Sequence, residues 1–116
     1  MKKWKDLKVG DVFYYYNRQH CQMYKPQVVD ITKTNKNLMY IKYVNNTGKL
    51  DACFLDQDDS CNISLSGETC CSTNKTQMLQ FIRRHIDDME NKLENANHSF
   101  SMLLSDKENS LKIIIK

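Results

Sequence analysis

The clearest pattern along the chain is a run of apolar positions in its second half. Ile82, Ile86, Met89, Leu93, Ala96, Phe100 and Leu103 recur at alternating spacings of four and three. That alternation is a heptad seam, the mark of a helix with one apolar face. Met78 and Leu79 extend it backward, and Asp87, Asp88, Glu90, Asn91, Lys92 and Glu94 fill the other faces. No proline or glycine interrupts the stretch from Thr73 to Ser105, and Ser72 or Thr73 is suited to cap its start. The pattern predicts a helix over 73–105. Asn95-Ala96-Asn97-His98 are poor helix formers, so the helix is either continuous or broken near Asn95.

The first half reads with period two. Val12-Phe13-Tyr14-Tyr15-Tyr16 is β-branched and aromatic, as a strand is. Asn17 to Lys25 is polar and reads as a loop. Pro26 opens a second strand, Gln27 to Lys33, at a position where a missing N–H is tolerable. Leu38 to Val44 is a third strand, with Met39, Ile41 and Tyr43 on one face and Tyr40 and Lys42 on the other. Asn45-Asn46-Thr47-Gly48 is a hairpin connection, and Leu50 to Leu55 a fourth strand with Leu50, Ala52 and Phe54 on one face. Asp56 to Thr73 reads as irregular, with a short strand at Asn62 to Leu65 as an option. Leu111 to Lys116 carries three consecutive isoleucines and reads as a closing strand.

The expected class is α+β in a single domain, 1–116. An N-terminal antiparallel β-meander or small barrel of about four strands occupies 1–72, the long helix 73–105, and a short terminal strand 106–116. Length adds a constraint. About thirty helical residues extend roughly 45 Å, whereas a globule of this size is about 35 Å across. An unbroken helix would overhang its sheet and leave the seam uncovered, which points to a homo-oligomer joined through Ile82, Ile86, Met89, Leu93, Phe100 and Leu103.

Composition narrows the function classes. The net charge of +3, from 17 basic and 14 acidic residues, does not by itself indicate a nucleic-acid protein. No apolar run is long enough to span a membrane, and Met1-Lys2-Lys3-Trp4-Lys5 has no apolar stretch behind it, so no signal peptide and a cytoplasmic location are expected. Five cysteines without a secretion signal argue for free thiols and against a disulfide framework. A zinc site from Cys61, Cys70, Cys71 and a histidine lacks any C-x-x-C pair, so no metal and no cofactor are expected. Four matches to the glycosylation sequon are chance in so asparagine-rich a chain.

No catalytic motif occurs, and the chain is short for an enzyme with a built cleft. His20, His85 and His98 read as surface or boundary residues. Asp56-Gln57-Asp58-Asp59-Ser60-Cys61-Asn62 invites a calcium-loop reading but has Cys61 where the sharp turn needs glycine and Gly67 where the last ligand should be glutamate. Two candidate ligand sites stand out. Arg83 and Arg84, two of only three arginines, form an anion site or a surface ion pair with the acids that follow, Arg84 with Asp88 at i, i+4. Tyr14, Tyr16, Tyr40 and Lys42 form a stacking platform if their strands are neighbours, or else pack beneath the helix.

The Leu7-Lys8-Val9-Gly10-Asp11 approach to an aromatic strand resembles the opening of small sheet-plus-helix proteins of phages and mobile elements. The order of strands and then helix looks like that of phage anti-defence proteins, both sponges for cyclic-nucleotide immune signals and some anti-CRISPR proteins. The resemblance covers layout alone and carries over no ligand residue. It implies a non-enzymatic inhibitor in the host cytoplasm that sequesters a nucleotide signal or binds a host defence protein. A small nucleic-acid-binding barrel and a structural oligomeric phage protein are the alternatives.

Overall fold

The computed structural model describes residues 2–34 and 36–105. The chain divides into two compact units, Met1–Ile82 and Arg83–Lys116. The fold class is α+β. Among the described residues the strands are β1 (Tyr14–Asn17), β2 (Gln22–Tyr24), β3 (Gln27–Lys33), β4 (Leu38–Val44), β5 (Leu50–Asp56), β6 (Cys61–Ile63) and β7 (Thr69–Ser72), followed by the helix α1 (Lys75–Ser105).

These strands form two antiparallel sheets, ordered β2-β1-β7-β6 and β3-β4-β5. The four-strand meander is therefore corrected. The second, third and fourth expected strands do form one meander, but the first joins the other sheet. Its approach is tied to β3 by the isolated bridge Val12↔Gln27 and by backbone hydrogen bonds from the Gly10 N–H to Val28 O and from the Val28 N–H to Asp11 O, each 2.8 Å. The reason is local. Asn17 Oδ1 accepts the N–H groups of Gln19 and His20 at 2.8 and 3.3 Å, and Cys21 takes a positive φ of 53°. That turn folds Gln22–Tyr24 back onto β1 as a hairpin, so the expected loop is a strand pair. The expected irregular stretch supplies β6 and β7, and β7 covers the other edge of β1.

In β4 the alternation holds: Met39, Ile41 and Tyr43 are buried, while Lys42 is exposed and Tyr40 half-buried. Leu50, Ala52 and Phe54 of β5 share the outward side, with Tyr40 opposite Phe54 and Lys42 opposite Ala52. The β4–β5 connection turns through Asn45, whose Oδ1 accepts the N–H groups of Thr47 and Lys49 at 2.9 and 3.0 Å, and through Gly48 at φ +82°. Only glycine adopts that φ without strain.

The main core lies between the sheets. Trp4, Leu7, Phe13, Val28, Met39, Ile41, Tyr43, Leu55 and Cys71 are buried in it, with Tyr15, Ile31 and Cys53 packed alongside. A second cluster lies on the other side of β1 and β7, where Tyr16, Cys70 and Met78 are buried with Tyr14, Cys61, Phe81 and Ile82 around them. The first turns of α1 thus cover the outer face of the β2-β1-β7-β6 sheet.

The helix begins one residue beyond the expected caps. Asn74 Oδ1 accepts the Gln77 N–H at 2.9 Å, as an N-cap does at the third helical residue. Ser72 still takes part: its Oγ accepts the Asn74 N–H at 2.9 Å and lies 2.8 Å from Gln77 Oε1. Ser60 Oγ donates to the same Gln77 oxygen at 2.9 Å. The buried Ser72 hydroxyl and the half-buried Ser60 hydroxyl thus tie the helix start to β7 and to the approach to β6.

In the Arg83–Lys116 unit, α1 is helical through Asn95–His98, so of the two readings the continuous helix holds. Propensity costs at those positions are a few tenths of a kcal/mol each, about what one i, i+4 side-chain pair returns. Met89, Leu93, Phe100 and Leu103 are exposed, and Ile86 is half-buried. His85 departs from its expected surface or boundary position and is buried. It follows Met78 by seven residues and so shares that residue's helical face. The expected terminal strand, Leu111 to Lys116, lies outside the described residues.

Candidate functional site

Within the Met1–Ile82 unit, both sheets contribute to one polar pocket of about 320 Å³. Strand β1 supplies Tyr15 and Asn17, the β1–β2 turn His20, and β2 supplies Gln22 and Tyr24. The β4–β5 hairpin adds Asn45, Asn46 and Thr47, and β5 adds Asp51. Tyr15 and Tyr24 are register partners, and their rings pack with centroids 4.8 Å apart. Tyr15 also lies 6.4 Å from the Tyr43 ring, which joins the pocket wall to the core. Asp51 stands opposite Tyr43 on the ladder, and Asn45 Nδ2 donates to its Oδ2 at 2.9 Å.

The titration of these groups sets their roles. Burial pushes the Tyr24 phenol up to about 12, with the neighbouring Tyr15 and Asp51 adding to the rise. Burial likewise raises Tyr15, against a hydrogen bond to Thr69 that lowers it. Tyr43 is raised by the same cause. Each phenol therefore keeps its proton at neutral pH and presents an O–H donor. Asp51 is an acceptor, one of whose oxygens Asn45 holds in place. Amides from Asn17, Gln22 and Asn46 and the Thr47 hydroxyl can both donate and accept. Among the described residues no lysine or arginine lines the pocket, and the phenols, amides and hydroxyl that do line it suit an uncharged, hydrogen-bond-rich ligand.

The raised phenols make an alkaline prediction. An unfolded tyrosine ionises near pH 10, Tyr24 only at about 12. A raised native pKa contributes stability that is complete below the unfolded value and lost as pH climbs through the native one. Stability should hold to about pH 10 and fall steeply towards pH 12. Phenolate absorbance in the near-ultraviolet should show late-titrating tyrosines, one fewer of them in Tyr24→Phe. Ionisation of every tyrosine near 10 without unfolding would contradict the burial.

The structure does not bring the expected platform together. Tyr14 and Tyr16 lie on the helix-facing side of β1, where Tyr16 meets Phe81 at 6.0 Å. Tyr40 and Lys42 lie on the outward side of the other sheet, where Tyr40 packs on Phe54 at 4.8 Å. Tyr14 instead has Lys25 Nζ 5.7 Å from its ring centroid. With Met23, Lys25, Lys75, Met78, Leu79 and Ile82 it lines a smaller hollow of about 180 Å³. Arg83 and Arg84 are exposed on the helix, and Arg83 Nε pairs with Asp87 Oδ1 at 3.3 Å. The pocket residues escaped the sequence reading because Asn17, Gln22 and Asn45–Thr47 looked like ordinary loop polar groups. The one available signal was Asn17 at a hairpin turn.

Four of the five cysteines fall into two pairs, and Cys21 lies apart on the β1–β2 turn. Cys70 and Cys71 are adjacent in β7 and point to opposite faces, so they cannot share one tetrahedral ion. Cys61 Sγ lies 3.5 Å from Cys70 Sγ, and Cys71, buried in the main core, has Cys53 packed alongside that cluster. Among the described residues, no group of three or more His, Cys, Asp or Glu is placed to hold a metal ion. The acidic loop is structural. Asn37 Nδ2 donates to Asp56 and Asp58 at 3.0 and 2.8 Å, and Lys5 Nζ reaches Asp58 at 3.0 Å. Among the described residues, no helix is long and apolar enough to cross a membrane.

Comparison of the chain with protein-family models, curated proteins and solved structures finds no match.

Proposed function

We propose that this chain is a non-enzymatic binding protein whose ligand is a nucleoside, or the base-and-ribose end of a nucleotide, held in the Tyr15–Tyr24 pocket. The pocket's lining carries the proposal: protonated phenols, amides and one oriented carboxylate, with no lysine or arginine among the described residues that line it. A base edge offers alternating donors and acceptors, and a ribose offers hydroxyls, which amides and a carboxylate satisfy pairwise. In the phage anti-defence reading, the protein acts in the host cytoplasm by sequestering a nucleotide signal. The exposed helix seam supports a second part of the same reading, in which the protein binds to itself or to a defence protein through α1.

Calorimetric titration with the four common nucleosides and their nucleotides tests the ligand class. At least one nucleoside should bind, and Asp51→Ala should weaken it about tenfold or more, since a lost charge-assisted hydrogen bond is worth about 1.5–3 kcal/mol. Binding should change little between low and moderate salt. A steep fall with salt would favour the nucleic-acid reading. Absence of heat with every nucleoside and nucleotide would overturn the proposal.

A further inference from the structure

We propose that Cys61 and Cys70 form a reversible oxidation site, a dithiol that a hydroperoxide closes into a disulfide. Four observations carry this. First, the two Sγ atoms are already in contact at 3.5 Å. Second, the backbone that holds them is a paired ladder. Cys61 stands opposite Ser72 and Ile63 opposite Cys70, so the two cysteines are diagonal neighbours on one side of the β6–β7 ladder. A disulfide needs a sulfur separation of about 2 Å, so closure draws the two sulfurs together from their present contact. Third, access is unequal: Cys61 is half-buried and Cys70 is buried beneath Tyr16 and Met78. Fourth, the contact between the two thiols lowers Cys61 to about 7 and raises Cys70. The more accessible Cys61 is the nucleophile and the buried Cys70 the resolving thiol.

The chemistry balances in two steps. The Cys61 thiolate attacks one peroxide oxygen, the O–O bond breaks, and hydroxide leaves, giving a sulfenic acid. The Cys70 sulfur then attacks the Cys61 sulfur, the S–O bond breaks, and the hydroxyl departs as water with the Cys70 proton. The two sulfurs are oxidised and the peroxide is reduced to water. The product ties β6 to β7 on the face that the start of α1 covers. The Cys53–Cys71 pair lies in the main core, where Cys71 is buried, and should react more slowly. Cys21, exposed on the β1–β2 turn, is the internal comparison.

The test uses the full reduced chain treated with hydrogen peroxide, then unfolded in an alkylating reagent for mass and peptide analysis. The expected product has lost two hydrogens, carries two fewer alkyl groups than the five cysteines of the reduced chain, and yields one Cys61–Cys70 linked peptide. Its rate should fall severalfold as pH drops from about 8 to 6, because the thiolate fraction falls. In Cys70→Ser the Cys61 sulfenic acid has no resolving partner and should proceed to sulfinic acid, whereas Cys21→Ser should leave the disulfide unchanged. Over-oxidation of Cys61 in the unaltered protein, or a first disulfide between any other two cysteines, would overturn the proposal. Those outcomes are read on the unaltered chain, so they stand even if Cys70→Ser folds poorly.

Discussion

Trp4→Ala is expected to lower the unfolding free energy by about 3–5 kcal/mol, the range for removing a large aromatic side chain from a packed core. Total stability of such a domain is about 5–15 kcal/mol, so this one change should bring the protein close to unfolding at 37 °C. Trp4 is 0% exposed although it stands near the end of the chain. Its ring meets Phe13 edge-on at 5.5 Å, and Phe13 meets Tyr43 edge-on at 5.3 Å. Its backbone is held as firmly: the Trp4 N–H donates to Asp59 O at 2.7 Å and the Lys5 N–H to Gln57 O at 3.1 Å. The acidic loop thus clamps a short 3-10 turn, Trp4–Asp6, over the space between the sheets. Trp4→Phe provides the discriminating comparison. Among the described residues, buried Trp4 Nε1 has no hydrogen-bond partner. Phenylalanine removes that orphan donor while keeping an aromatic ring, so its loss should be much the smaller. Urea denaturation followed by far-ultraviolet circular dichroism measures both. Equal losses for the two variants, or a loss under about 1 kcal/mol for Trp4→Ala, would contradict the packing account.

Leu93→Lys combined with Phe100→Lys is expected to leave the helix intact and to abolish self-association. Leu93 and Phe100 are 62% and 63% exposed, so the isolated chain should be affected by less than about 0.5 kcal/mol per site. Lysine is also as good a helix former as leucine. In an oligomer the same positions become buried, where each apolar side chain contributes about 1.5–3 kcal/mol and an unpaired ammonium is far more costly. Light scattering across the micromolar range should show an assembly for the unaltered chain and a particle of 13.7 kDa for the double variant. An unaltered chain that is monomeric throughout that range would remove the oligomer from the proposed function. The nucleoside reading would survive, since its pocket lies wholly within the Met1–Ile82 unit.

Several elements were legible in the residues because their signals are local. The heptad spacing from Ile82 to Leu103 marks a helix through i, i+3 and i, i+4 geometry, and α1 runs over it. Alternation in Leu38–Val44 sorts Met39, Ile41 and Tyr43 to the inside, and Asn45 with Gly48 marks a hairpin. Strand partnership is different. It depends on which edges meet, and β1 carries the same aromatic pattern whether it pairs with β3 or with β7. The choice was made by the Asn17–Cys21 turn and by Thr69–Ser72, two short stretches that have little pattern of their own. That choice also moved Tyr14 and Tyr16 away from Tyr40 and Lys42, and dissolved the expected platform.

By itself, then, the sequence determined the α+β class, the helix with its uncovered seam, the inward faces of the central strands and the free thiols as residue types. Only the tertiary structure decided that the strands split into two sheets, that Trp4 is buried, that Cys61 touches Cys70, and that Tyr15, Tyr24 and Asp51 converge on one pocket. The physical reason is range. Periodicity and turn chemistry act over a few neighbouring residues, whereas these contacts join residues as far apart as Tyr15 and Asp51, whose meeting depends on the packing of two sheets against one core.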